Sequence, residues 1–290
     1  MNKPLYRPKV DTHLIESQYV DQTFEIHIAQ PVMKKDGSEK FPVLYATDAN
    51  MNFGALQAFS YSMQGTLIPR YILVGIGYPG DIDSSHAGIL RERDLSLLPD
   101  PPRTEAVRKI KEILASQIES SEAPDMDSVN LHNGADNFLK FIRSELIPFI
   151  EKHYPVELNE RAYYGYSAGA RFGLYSLFNE PDTFNRYILG SPALSFFGQD
   201  VMFSQAHEFI KSGQAINANV FLSVGGKEQF EPAYAAVDFC SDHFKMAKLL
   251  RAANVPGLEC TSKIFPDEVH ATAWAPTFIH GVQAVFGSVG

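Results

Sequence analysis

Apolar positions along this chain follow three rhythms. In "QYVDQTFEIHIAQPV", residues 18 to 32, apolar and polar positions alternate, so Phe24, Ile26 and Ile28 share one face of a strand, and "KKDGSEK" supplies the turn that follows. The runs "FPVLYATD" (41–48), "RYILVGIGYPG" (70–80), "RAYYGYS" (161–167) and "NVFLSVGG" (219–226) are instead almost continuously apolar. Such runs suit strands buried on both faces, as in a parallel sheet. Between them apolar residues recur at helical spacing. Val107, Ile110, Leu114 and Ile118 form a stripe in "TEAVRKIKEILASQIES", and Phe138, Phe141, Ile142 and Leu146 form another in "ADNFLKFIRSELIPFIEKHY", where Pro148 is expected to kink or end the helix. "AAVDFCSDHFKMAKLLRAA", 235 to 253, is a third helical pattern.

Strands alternating with helices predict an α/β architecture, a mostly parallel central sheet with helices on both faces. The only linker-like stretch is "SSEAPDMDSVN", 120 to 130, so one domain spanning 1–290 is the expectation. Amphipathic residues 104 to 119 read first as a packing helix and second as a lid, which makes 101–130 the candidate lid or insertion.

Composition narrows the partners. With 45% hydrophobic and 20% charged residues the chain is ordinary globular protein, and a net charge of −9 without a Lys/Arg run argues against nucleic acid. No stretch has the length and apolarity of a membrane span, and the N-terminus lacks the apolar core of a signal peptide, so a cytoplasmic location is expected. Cys240 and Cys260 form neither a Cys-x-x-Cys pair nor a Cys/His cluster, which implies no disulfide framework and no metal site. No cofactor is expected. The oligomeric state, monomer or homodimer, is left open.

One short pattern carries chemistry. Gly165-Tyr166-Ser167-Ala168-Gly169 joins a strand to a helical segment. A serine on a sharp strand-to-helix turn exposes its hydroxyl above the sheet edge, and small residues two before and two after let the backbone fold that tightly. The amide of Ala168 then lies at a helix N-terminus, where an oxyanion is favoured. The plain alternative is a glycine-bearing turn with a capping serine.

A serine needs a base and an acid. His243 falls inside a helical pattern and His280 in the terminal helix, where core or surface roles are expected, whereas His270 follows a strand in "KIFPDEVHATAWAP" and precedes the last helix. His270 is therefore the candidate base. For the acid, Glu228 in "GGKEQFE" comes first and Glu231 is its rival, with Asp267 and Glu268 as weaker candidates. The second oxyanion donor is expected in "LYATDANMNFG", from the backbone amide of Ala49 or Asn50, with Asp48 tying that loop. Phe53, Tyr78, Phe196, Phe197 and Trp274 are candidates to line an aromatic substrate pocket. The "RERD" run reads as an internal ion-pair network, Arg93 pairing with Asp94 or Asp48. The alternative is that Arg91, Arg93 and Arg103 meet an anionic substrate.

These segments together resemble the putative-esterase family of α/β-hydrolases, which includes enterobactin-type siderophore esterases, S-formylglutathione hydrolases (esterase D), feruloyl esterases and the antigen 85 mycolyltransferases. The likeness spans residues 22 to 285. It rests on "PVLYATDAN", on "GIGYPG" with "RERDL", on "GADNFLKFIRSELIPFIEKHYPV", on "FNRYILGSPAL", and on "SVGGKE" with "FPDEVHATAW". The resemblance implies an α/β-hydrolase fold, with Ser167 as nucleophile, His270 as base and Glu228 as acid in the siderophore-esterase branch. Where family members commonly have glycines, this chain has Ala49 and Ala170, and Ser195 and Phe196 replace tandem tryptophans. The implied partner is a small-molecule ester. Alternatives are a thioesterase such as S-formylglutathione hydrolase, an acyltransferase, and a catalytically silent binding protein on the same fold.

Overall fold

The structure is a computed structural model and describes residues 9–32, 38–80, 84–97, 134–195, 200–234 and 238–287. Within them, eight strands form one sheet: β1 (Val10–Glu16), β2 (Thr23–Ala29), β3 (Phe41–Ala46), β4 (Ile72–Gly77), β5 (Val156–Tyr166), β6 (Arg186–Gly190), β7 (Ala218–Gly225) and β8 (Leu258–Phe265). Their order is β1-β2-β4-β3-β5-β6-β7-β8, with β1 and β2 antiparallel to their neighbours and every other pair parallel. Each continuously apolar run predicted as a parallel strand is one. The segments 104–119 and 120–130, and with them the candidate lid 101–130, lie outside the described residues.

The period-2 geometry of strands sorts side chains into two cores. Phe24, Ile26 and Ile28, with Val43, Tyr45, Val74, Tyr163, Leu189 and Leu222, face one layer of helices. That layer comprises α3 (Gly134–Phe141), α4 (Ile147–His153), α5 (Ala168–Asn179), α6 (Val201–Ser212) and α7 (Phe239–Ala252). The alternate positions Leu44, Leu73, Ala162, Tyr164, Ile188 and Phe221 face α1 (Ala49–Met63) and α8 (His270–Phe286). One further helix among the described residues, α2 (Ser84–Asp94), follows β4 in the chain. Full burial of an aromatic or aliphatic side chain contributes about 2 to 3 kcal/mol. Strands buried on both faces therefore gain twice over, which explains why their sequence shows no polar alternation.

The two glycines of "LVGIG" have a packing reason. A Cβ on Gly75 would lie 2.3 Å from the Phe53 ring, and one on Gly77 would lie 2.7 Å from Asn50 Oδ1. Their absence lets α1 settle directly onto β4. Pro148 neither ends nor breaks its helix. A π-helical stretch, Ile142–Leu146, joins α3 to α4, and Pro148 sits in the first turn of α4. The wider turn accommodates a residue that has no N–H to donate and whose ring would crowd the preceding carbonyls.

Register aligns the strand ends. Tyr166 pairs with Gly190, Gly190 with Ser223, and Gly225 with Phe265. The segments leaving β5, β6, β7 and β8 thus emerge along one carboxyl edge, where ligand sites form in parallel sheets.

Candidate active site

Five non-glycine residues among those described have positive φ, and three of them, Asp48 (63°), Ser167 (58°) and Ser191 (42°), lie within two residues of the ends of β3, β5 and β6. L-residues adopt this region at a cost of about 1 to 3 kcal/mol, and such strain concentrates at functional sites. At Ser167 the cause is the turn itself. Its N–H donates to Gly190 O at 2.9 Å, which holds the residue against β6, while its carbonyl accepts from Arg171 N–H at 3.1 Å and opens α5. A Cβ on Gly165 would stand 2.3 Å from Gly169 O, and one on Gly169 2.6 Å from Thr47 Oγ1. The glycine-x-serine-x-glycine spacing is therefore a steric requirement of this turn. Ala168 is the first residue of α5, and first-turn amides have no intrahelical acceptor.

His270 and Glu228 meet across the ends of β7 and β8. Glu228 begins a 3-10 turn, Glu228–Phe230, three residues after the end of β7, and His270 is the first residue of α8. His270 Nδ1 lies 3.1 Å from Glu228 Oε2. The other carboxylate oxygen, Oε1, accepts from Ser191 Oγ at 2.5 Å and from Gly225 N–H at 2.8 Å. Glu228 is 1% exposed, so these donors replace the water it gave up on burial. The imidazole is walled by aromatic rings: Phe239 stacks on it at 4.6 Å, Tyr234 lies at 4.5 Å and Tyr166 at 5.0 Å. Tyr166 immediately precedes Ser167, so the serine turn and the histidine share a wall.

Glu231, the rival acid, does something different. Its Oε2 accepts from the His270 main-chain N–H at 2.7 Å. Asp267 is exposed and pairs with Lys227 at 3.5 Å, and Glu268 offers its carbonyl to Lys227 N–H. Both decorate the loop. His243 lies buried on α7, where desolvation pushes its imidazole down to about 4 against the opposing pull of Glu228. His280, on α8, sits 3.2 Å from Lys263 Nζ, and burial together with that ammonium lowers its pKa.

On the far side of the serine turn, Asp48 caps α1 in a left-handed conformation without using its side chain as the cap. Its carboxylate is held bidentately by Arg91, Nε to Oδ1 at 2.6 Å and Nη2 to Oδ2 at 3.0 Å, and Nη2 also donates to Tyr166 O at 3.2 Å. Burial works against the Arg91 charge, yet Asp48 outweighs it and raises the guanidinium pKa. Of the "RERD" expectations, Arg93 does pair with Asp94, through Nε at 2.6 Å and Nη2 at 2.9 Å, but the partner of Asp48 is Arg91. A neighbouring residue reaches its own neighbour in the helix, and only Arg91 points across to the β3 loop. Arg103 lies outside the described residues. Asp94 also accepts from Tyr78 Oη at 2.9 Å, and burial pushes its carboxyl up.

Ala49 and Asn50 occupy the first turn of α1, where amide donors have no intrahelical acceptors. The Asn50 side chain clamps the end of β4, its Oδ1 accepting from Tyr78 N–H at 2.7 Å and its Nδ2 donating to Tyr78 O at 2.8 Å. Of the aromatic candidates, Phe53 is buried against Gly75, Tyr78 is buried beside Phe24, and Trp274 packs near Phe59 one turn beyond His270. Phe196 and Phe197 lie outside the described residues. Ser191, Tyr234 and Phe239 were not singled out from sequence; for Ser191 the available signal was its place in "GSPAL", directly after β6. No group of three or more His, Cys, Asp or Glu side chains among the described residues converges to hold a metal, and no helix among them is long and apolar enough to cross a membrane.

Ferri-bacillibactin esterase BesA of Bacillus subtilis is 28% identical over 232 residues, covering 77% of this chain and 72% of that protein. The BES protein from Bacillus cereus superposes with a TM-score of 0.74 at 22% identity, over 98% of this chain and 97% of its own. Siderophore hydrolase EstB from Aspergillus nidulans gives a TM-score of 0.75 at 21% identity with the same coverage. The family model described as "Putative esterase" matches residues 108–285, more than half of the chain. With that match and its mostly parallel eight-stranded sheet, the chain belongs to the "Putative esterase" family and is a carboxylic ester hydrolase of the α/β-hydrolase fold.

Proposed function

We propose that this esterase works through Ser167, His270 and Glu228 and cleaves siderophore-type esters. The observation that carries the assignment is the His270 Nδ1 to Glu228 Oε2 approach of 3.1 Å beside the strained Ser167 turn. His270 Nε2 takes the Ser167 hydroxyl proton as Oγ attacks the ester carbonyl. The oxyanion is met by the amide of Ala168 and by that of Ala49 or Asn50, donors already fixed at helix N-termini. Collapse of the tetrahedral adduct expels the alcohol, which receives the proton from His270, and water then hydrolyses the acyl-enzyme by the same steps in reverse order. Glu228 keeps the proton on Nδ1 and stabilises the imidazolium that forms.

The siderophore class is supported by the similarity to the ferri-bacillibactin esterase BesA and to the siderophore hydrolase EstB. A cytoplasmic site of action is consistent with Cys240 and Cys260 both being free thiols. A fluorophosphonate probe tests the nucleophile: wild type takes the label and Ser167→Ala does not, and label persisting in Ser167→Ala removes the assignment. For the substrate, turnover of a catecholate trilactone is compared with p-nitrophenyl esters and an acyl thioester. The siderophore reading fails if the trilactone is the poorest of the three by kcat/KM.

A further inference from the structure

We propose that Glu231 is a positioning residue for the base: its carboxylate grips the main chain of His270, so that one short loop fixes both the side chain and the backbone of that residue. The proposal rests on the reading of His270 as base. The 3-10 turn that begins at Glu228 places two carboxylates three residues apart, and the Glu231 N–H donates back to Glu228 O at 3.2 Å. The first carboxylate reaches His270 Nδ1 at 3.1 Å and the second reaches its main-chain N–H at 2.7 Å. The same two loops are joined further back by Gly226 N–H to Phe265 O at 2.8 Å and Lys227 N–H to Glu268 O at 3.0 Å. From the serine side, Tyr166 Oη donates to His270 O at 2.8 Å. Three of the four polar groups of His270, its N–H, its carbonyl and Nδ1, are thereby held by the acid loop and the serine strand. The fourth, Nε2, is the atom the proposed reaction uses.

The local sequence explains why an outside carboxylate is needed. The residue before α8 is Val269, which has no side-chain acceptor, so the exposed first-turn amides look elsewhere. Thr272 Oγ1 accepts from Val269 N–H at 3.2 Å, and the next amide, that of His270, is met by Glu231. An anionic acceptor at a helix N-terminus is also favoured by the helix dipole. A purely structural cap would cost stability when removed and leave turnover intact. A positioning group would cost kcat, because misplacing a reacting group by about 1 Å costs on the order of 100-fold.

The test is a series at Glu231 on the full chain, with kcat, KM, thermal midpoint and the rate of fluorophosphonate labelling measured for each variant. Glu231→Ala is expected to lower kcat and the labelling rate together by about 10- to 100-fold, with KM within about twofold of wild type. Glu231→Gln keeps an acceptor oxygen in place and is expected to restore at least half of the lost activity on a logarithmic scale. The proposal is overturned if Glu231→Ala lowers only the thermal midpoint, or if Glu231→Gln is as slow as Glu231→Ala. Should Glu231→Ala fail to fold, Glu231→Asp withdraws the oxygen by one methylene. Reduced kcat then supports the proposal and wild-type kcat overturns it. Failure of the underlying reading is separately visible, because wild type itself would then take no label at Ser167.

Discussion

Two buried carboxylates flank the serine turn at the same edge of the sheet, and their partners differ. On the β3 side, Asp48 is locked bidentately to Arg91, a guanidinium that stays charged under all ordinary conditions. On the β7 side, Glu228 faces an imidazole and neutral donors from Ser191 and Gly225. Because Arg91 keeps its charge, the first pair holds the β3 loop and the Tyr166 carbonyl in place. In the proposed reaction the imidazole of the second pair is the group that takes a proton. A carboxylate's role at this edge follows from whether its partner can change charge, and residue type alone does not reveal it.

The sharpest way to break that comparison is to remove each carboxylate system in turn. Glu228→Ala is expected to lower kcat for ester hydrolysis by about 10³- to 10⁴-fold, and retention of activity within tenfold of wild type would make the β7 side no more catalytic than the β3 side. Arg91→Met leaves Asp48 buried without its counter-charge and is expected to cost about 3 to 5 kcal/mol in urea unfolding. Adding Asp48→Asn to that variant should recover part of the loss. If Arg91→Met unfolds like wild type, the ion pair does not hold this edge of the fold together.

His243 tests the β7 flank by pH. Because its folded-state pKa is depressed to about 4 from 6.5, the unfolded chain binds the extra proton as pH falls through 6.5, and the folded chain does so only near 4. Stability is therefore lost across that window, by about 3 kcal/mol from this group. His243→Leu should show an unfolding free energy that is less acid-sensitive by that amount between pH 6.5 and 4, and an identical pH slope in both proteins would contradict the assignment. The smallest expected effect is at Ser191. Ser191→Ala removes one of the donors on Glu228 Oε1 and should reduce kcat about tenfold, the equivalent of about 1.4 kcal/mol, with KM little changed.

Much of the sheet was legible because its central strands are buried on both faces, which turns each into a short apolar run bounded by turn residues. The strands β1 and β6 were not read from the pattern. In β1, Leu14 is 64% exposed on the sheet's edge, so its alternation carries little hydrophobic signal, and β6 has only five residues, too few to show a period. Within the site, Ser167 was legible because its turn imposes glycines at fixed spacing on either side. The Asp48 partner was not, since Arg91 and Arg93 are both available and only the direction of α2 selects between them.

By itself, the amino-acid sequence determined the apolar runs of the parallel sheet, the small residues of the serine turn and the order along the chain of the proposed serine, acid and histidine. These are local: they follow from burial on two faces and from steric limits within a few residues. Tertiary structure decided what the second glutamate does: Glu228 meets the imidazole, and Glu231 meets the histidine backbone. Glu228 and Glu231 stand three residues apart in one polar loop, where the sequence ranks Glu228 ahead of Glu231 as the acid but gives Glu231 no role of its own. The 3-10 turn after β7, set against the start of α8, aims one at Nδ1 and the other at the main-chain N–H.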